Sequence, residues 1–292
     1  MKLFLILAAA FSVTLGAAIF AGTQVINAVE RPTSTSTLSI QVGDQTRSYE
    51  VILPAKPLPK SAPIIMMLSG KAASTSQEIN RDQYLPYADA DMAELVYPVA
   101  IHESWNVGSK CCGWAGLHNV SDVAFIKDLI PKIDPGHERP LYLVGYSNGG
   151  RLAYEFACDD PGLFDAIAVA KADPMPGCVV STPQTIIDIA SLDDTWVPYK
   201  PGEKGQESPA ATVQFARLKA ADGCDSTTEV TKLGNMTDTT WTQCANDTRL
   251  SFAVWTTGAH NFPRPPADYP TAAAVTWSFF NQTALEPLPK TK

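Results

Sequence analysis

The run Ile64-Ile65-Met66-Met67-Leu68 places five apolar side chains in a row and stops at Ser69-Gly70. A strand sends successive side chains to opposite faces. Such a run therefore has to be covered by protein on both faces. Leu141 to Val144 and Ala166 to Ala170 repeat the pattern, and Leu95 to Ala100 and Thr185 to Ala190 read as further strands. Stretches with helical period lie between them. Val120 to Ile130 has Val123, Ile126 and Ile130 on one face, and Gly149 to Cys158 has Leu152, Ala153, Phe156 and Ala157 on its buried side. Ala210 to Ala221 is a third helix, ending at Gly223; strand Ser251 to Thr256 and helix Ala272 to Phe280 close the series. Buried strands alternating with helices predict an α/β fold with a mostly parallel central sheet and helices on both faces. Leu38 to Val42 and Ser48 to Leu53 alternate around Gly43-Asp44 and predict a hairpin. Arg31 to Thr37 reads as a Pro/Ser/Thr linker and Pro287 to Lys292 as a loose tail. No long linker divides the rest, so residues 29–292 are expected to form one domain.

The first residues have a different character. Lys2 is followed by an apolar stretch from Leu3 to Ala21, broken only by Ser12, Thr14 and Gly16. This predicts a secretory signal over residues 1–28, with cleavage after Ile26-Asn27-Ala28, and so a secreted or periplasmic protein. The alternative is an uncleaved anchor, since the stretch nearly reaches spanning length. A membrane is expected as a partner only in that case. No cysteine lies near the signal, which excludes attachment through a lipidated N-terminal cysteine.

Six cysteines fit export. Locality pairs Cys158 with Cys178 and Cys224 with Cys244, and leaves the neighbours Cys111 and Cys112 for each other. The four histidines do not stand at ligand spacing from any cysteine, so no metal site is expected. Sequons occur at Asn119, Asn235, Asn246 and Asn281, and they matter only in a host that glycosylates exported chains. The net charge of −8 repels phosphate backbones, which argues against nucleic acid as a partner.

The most informative stretch is Leu141 to Leu152. A buried strand runs into Gly145-Tyr146-Ser147-Asn148-Gly149, and an amphipathic helix follows. Gly-x-Ser-x-Gly is a weak signal alone, but strand–turn–helix is the context in which it works as a nucleophile elbow. The sharp turn lifts the Ser147 hydroxyl above the sheet. The small residues Gly145 and Gly149 avoid clashes around it, and the N–H of Asn148 is left to face an oxyanion.

A serine nucleophile needs a base, and the base needs an orienting acid. For this elbow the chain order is serine, acid, histidine. His102, His118 and His137 precede Ser147, so His260, in the loop after Ser251 to Thr256, is the candidate base. The strand Thr185 to Ala190 leads into Asp193-Asp194, two adjacent acids of which only one can face the imidazole. Either can also be an ordinary turn aspartate. Ser69-Gly70-Lys71 follows an early strand, where a second oxyanion donor belongs, and the N–H of Lys71 is the candidate. Trp105 and Phe262 are candidates to line an apolar substrate pocket, although aromatics more often serve the core.

With these residues in place, the chain resembles a known family. It is similar to the secreted α/β-hydrolase esterases grouped as polyhydroxybutyrate depolymerase-like, with the related feruloyl and acetylxylan esterases of carbohydrate esterase family one. The matching segments are Val96-Tyr97-Pro98, Ser104-Trp105-Asn106, Cys111-Cys112-Gly113, Val120 to Phe125, Gly145 to Gly150, Asp194-Thr195-Trp196-Val197-Pro198-Tyr199 and Gly258 to Pro263. They run in the family's order from about Ser48 to Phe280. The resemblance implies an α/β-hydrolase fold and a Ser147–His260–Asp194 triad. It prefers Asp194 because that residue stands three before Val197-Pro198-Tyr199, and keeps Asp193 in reserve. It implies a secreted serine esterase that needs no cofactor, with a small or polymeric ester as substrate. Hydroxyalkanoate esters come first, and feruloyl or acetyl esters of plant cell walls second. The chain departs from the family at Ser69-Gly70, where His-Gly is usual, and at Ala190-Ser191-Leu192, where His-Gly-Thr is usual. It also has Thr257-Gly258-Ala259-His260 for Gly-Gly-Gly-His. Those departures motivate a rival from another class, a non-catalytic binding protein on the same fold. A peptidase is a third reading, since sequence does not separate amide from ester cleavage.

Overall fold

The computed structural model describes residues 33–108, 111–203, 209–226, 228–264 and 270–290. The expected signal over residues 1–28 and its cleavage site lie outside the described residues. Among the described residues no helix is long and apolar enough to cross a membrane.

A single sheet of ten strands organises the chain. In chain order the strands are β1 (Ser34–Val42), β2 (Gln45–Leu53), β3 (Ile64–Leu68), β4 (Glu94–Pro98), β5 (Leu141–Tyr146), β6 (Ala166–Ala170), β7 (Ile186–Ser191), β8 (Thr228–Leu233), β9 (Met236–Trp241) and β10 (Leu250–Trp255). Their order across the sheet is β1-β2-β4-β3-β5-β6-β7-β10-β9-β8. The stretch from β4 to β10 is parallel throughout. Antiparallel hairpins close both borders. The helices are α1 (Thr75–Asp82), α2 (Leu85–Asp89), α3 (Trp114–Leu117), α4 (Asp122–Ile133), α5 (Asn148–Asp159), α6 (Ala211–Ala221) and α7 (Ala272–Asn281).

The apolar run of β3 does what its composition requires. Ile64, Met66 and Leu68 join one core with Phe125 of α4, Leu152 and Phe156 of α5 and Phe215 of α6. Ile65 and Met67 join the opposite core with Tyr87 of α2 and Phe279 of α7. Each such side chain is almost wholly removed from water, worth roughly 1.5–3 kcal/mol apiece. The central strands are thereby fixed in register, because a one-residue slip would exchange the two cores.

The linker expected over Arg31 to Thr37 gives way at Ser34, where β1 begins. Its nine residues pair in continuous register with β2, from Ser34 opposite Leu53 to Val42 opposite Gln45. Ladder hydrogen bonds, not burial, hold this first half, since Ser34 to Thr37 are exposed. The tail expected to be loose from Pro287 is held at Leu288, which packs with the preceding Leu285 against the α2/α7 core. The three cysteine pairs expected from locality are joined as disulfides: Cys111–Cys112, Cys158–Cys178 and Cys224–Cys244.

Candidate active site

Ser147 stands between the last residue of β5 and the first of α5, at φ 52° and ψ −114°. That backbone is unfavourable for a residue with a Cβ. Neighbouring bonds hold it. The Ser147 N–H donates to the Ala170 carbonyl at 2.9 Å, and its carbonyl accepts from the Arg151 N–H at 3.0 Å. The turn is closed so tightly that a Cβ on Gly145 would run into the carbonyl of Gly149. One on Gly149 would run into the backbone of Leu68 and Ser69. Glycine at both places follows from that contact.

The Ser147 hydroxyl lies 2.9 Å from Nε2 of His260. Nδ1 of the same ring lies 3.0 Å from Oδ2 and 3.2 Å from Oδ1 of Asp194. The three stand after the C-terminal ends of β5, β10 and β7, on loops that the parallel sheet brings side by side. Burial pushes the Asp194 carboxyl up, but bonding to His260 and the N–H groups of Val197 and Trp196 outweighs it. The group is held below its usual range and stays ionised. Those N–H groups reach Asp194 Oδ1 at 3.0 and 2.8 Å.

Asp193 is not among the partners of the imidazole and does something else. Its carboxylate accepts from the N–H of Ala259 at 2.8 Å and of Gly258 at 3.3 Å. The adjacent acids thus divide the work: one binds the ring, the other the backbone that carries it. Tyr146 adds a second tie, its hydroxyl donating to the His260 carbonyl at 2.5 Å. Burial pushes that hydroxyl up to about 12, so it remains a donor at working pH. The sequence reading gave Asp193 and Tyr146 no such part. The adjacency of two acids was the one available signal for the first, and nothing beyond the elbow itself marked the second.

The loop after β3 lies against the elbow, since a Cβ on Gly70 would sit 3.6 Å from that of Ser147. The Gly70 N–H donates to Glu78 at 3.4 Å and the Ala72 N–H to the Glu103 carbonyl at 2.8 Å. The N–H of Lys71, between them, has no partner among the described residues. The N–H of Asn148 opens α5, where no preceding turn supplies an acceptor.

Trp105 and Phe262 are not brought into a pocket. Trp105 is 0% exposed and works as a clamp. Its backbone N–H donates to Asn148 Oδ1 at 2.7 Å, its carbonyl accepts from Asn148 Nδ2 at 3.2 Å, and its indole N–H donates to the Ser69 carbonyl at 2.9 Å. It joins the elbow to the loop after β3 from below. Phe262, also buried, stacks edge-on against Tyr146. The aromatic that does border the site is Trp196, 53% exposed, with its ring 5.9 Å from that of His260.

Other segments singled out in the sequence give support. Asp122 pairs with Arg47 at 2.7 Å in the core and accepts from the Asn106 N–H at 2.7 Å. Arg151 donates to the sulfurs of Cys111 and Cys112 and pairs with Asp173. Among the described residues no group of histidine, cysteine and carboxylate side chains is arranged to hold a metal ion.

No family model matches the chain. NocK of Nocardia uniformis subsp. tsuyamanensis, which carries the name of an esterase, is 27% identical over 188 residues; these are 61% of this chain and 53% of NocK. The chain thus spans about half the length of the curated relative it matches. Among solved structures, acetyl xylan esterase from Aspergillus awamori is similar with a TM-score of 0.55 at 14% identity, over 84% of this chain and 99% of that one. A feruloyl esterase module from Clostridium thermocellum gives 0.51 at 11%, over 80% and 83%. The protein called sOPH gives 0.59 at 14%, over 89% and 91%. At such identities the likeness speaks for the fold, and the fold is that of the α/β-hydrolases.

Proposed function

We propose that the chain is an exported serine hydrolase that cleaves carboxylic esters with Ser147, His260 and Asp194. The observation that carries the reading is the unbroken line of contacts from the Ser147 hydroxyl through both ring nitrogens of His260 to the Asp194 carboxylate. The name of the relative NocK and the fold shared with ester-cleaving enzymes support it. Three disulfides among the described residues fit an oxidising compartment.

The chemistry follows from the geometry. His260 Nε2 removes the hydroxyl proton as Ser147 Oγ attacks the ester carbonyl, and Asp194 stabilises the imidazolium that forms. The carbonyl oxygen, now negative, accepts from the N–H groups of Asn148 and Lys71. The alcohol departs with the proton from His260, leaving an acyl-serine. Water, deprotonated by the same nitrogen, attacks that ester and releases the acid.

A short hydroxyalkanoate ester is the substrate that the sequence resemblance implies. Esters of plant cell-wall acids are the second reading. It draws support from the open indole of Trp196 beside the ring that hands a proton to the leaving alcohol. Purified protein and its Ser147→Ala variant should be compared on hydroxybutyrate oligomers, methyl ferulate, acetylated xylan and nitrophenyl esters, with a peptide amide series beside them. A phosphonate probe should mark the wild type at Ser147. A folded sample that neither takes the probe nor turns over any ester is a binding protein, and the proposal fails.

A further inference from the structure

A lysine lies buried directly behind the triad. Lys171 is 2% exposed and follows the last residue of β6, whose Ala170 carbonyl holds the nucleophile's N–H. Its own N–H donates to the Ile189 carbonyl of β7 at 2.9 Å, and its backbone is left-handed at φ 56°. Nζ donates to the hydroxyl of Ser191, the last residue of β7. That hydroxyl, 0% exposed, donates in turn to the Thr257 carbonyl at 3.3 Å. Ser191 stands just before Asp193 and Asp194, and Thr257 just before the turn that delivers His260. A Cβ on Gly258 would come within 3.1 Å of the same hydroxyl, so the loops meet there with no room to spare.

We propose that Lys171 is a positioning residue of the triad: through Ser191 it ties the loop carrying Asp194 to the loop carrying His260, and it sets a positive charge behind both aspartates. The inference rests on the reading of the chain as a triad hydrolase. A methionine would fill the space without the cost of burying a charge, so packing does not account for a lysine. The groups that face it are known. The charges of Asp194, Asp193 and Asp188 of β7 all favour its ammonium, and Tyr154 of α5 donates to Asp188 at 3.0 Å. Asp173, near Asp188, is paired with Arg151 at 2.7 Å. Burial pulls the ammonium down to about 8, against those three aspartates, so it is charged at neutral pH.

The sign of the effect is fixed. A positive charge close to the Asp194–His260 pair opposes the imidazolium. Replacing Lys171 with Met removes that opposition, and the acid limb of kcat/KM moves to higher pH.

The test compares wild type with Lys171→Met and Ser191→Ala in the full chain, by steady-state kinetics across pH and by NMR titration of the His260 ring, which needs no turnover. Lys171→Met should lose kcat about tenfold or more with KM within about twofold, and both limb and ring titration should rise. Ser191→Ala keeps the charge and cuts the tie; its kcat should fall about fivefold with the limb unmoved. Wild-type kcat and limb in Lys171→Met overturn the inference. So does a loss of kcat with limb and ring unmoved, which marks a packing role. Should Lys171→Met not fold, Ser191→Ala decides alone, and wild-type kcat in it overturns the tie. A wild type without ester turnover or probe labelling refutes the hydrolase reading itself, a separate outcome from either variant's.

Discussion

Two neighbouring carboxylates show how finely a role depends on which way one side chain turns. In the proposed triad Asp194 orients the imidazole, so Asp194→Asn should lower kcat by about 10³–10⁴-fold. Asp193 only holds the N–H groups of Gly258 and Ala259. Asp193→Ala should cost about tenfold, because a ring displaced by a fraction of an ångström still reaches the hydroxyl part of the time. Steady-state kinetics on one nitrophenyl ester separates the two. Because Asp194 is held below its usual range, activity should rise with pH through a single ionisation in wild type, with no second step from this carboxyl. Trp196 makes a different prediction. It touches no triad side chain closely, so Trp196→Ala should leave kcat on a methyl ester within about twofold and raise KM mainly for esters of bulky or aromatic alcohols.

At the scale of elements, β5 and α5 hold Ser147 in a backbone that costs roughly 1–3 kcal/mol, and the far end of α5 is tied down covalently. Cys158 closes a loop of sequence separation 20 to Cys178. Replacing both with alanine should cost about 3 kcal/mol by the chain-entropy account, measurable by urea unfolding. Strands buried on both faces were legible where an unbroken apolar run has few other uses, as in β3, β5 and β6; β7, interrupted by Asp188, and β10, which carries Ser251, were read as strands without such a run. Elements with little apolar character escaped. The edge hairpin β8–β9 is exposed along the whole of β8, so burial left no pattern there; the turn pair Gly234-Asn235 was the remaining signal. Helix α1 carries a capping box between Ser74 and Gln77, a polar signature that a search for apolar stripes passes over. Trp105, open in the sequence between pocket and core, was undecided for a related reason. Sequence shows that an indole is present but not whether its face meets solvent or a backbone carbonyl.

Over the whole molecule, the proposed triad was legible as chain order and residue type, while the partners proposed to hold it were not. Lys171, Ser191 and Asp193 reach the loop that carries His260, directly or through one another, only when β6, β7 and β10 lie side by side, and no local pattern encodes that. Buried charge also sets a pH dependence. Burial pushes the Asp188 carboxyl up to about 7, against Tyr154 and Lys171. The folded chain therefore holds this proton where the unfolded chain has released it. Stability from this group is largest below about pH 4 and falls as pH rises toward 7. Asp188→Asn should gain stability relative to wild type between pH 5 and pH 8, read from urea midpoints. The Cys158–Cys178 bridge has one more outcome. Pro176 and Gly177 form an exposed turn inside the ring it closes. A protease that nicks there separates the piece bearing Ser147 from the piece bearing Asp194 and His260, yet the two halves stay linked. One band should run on a gel without reductant and two with it, and the proposed ester turnover of the cut chain should be lost only when the thiol is added.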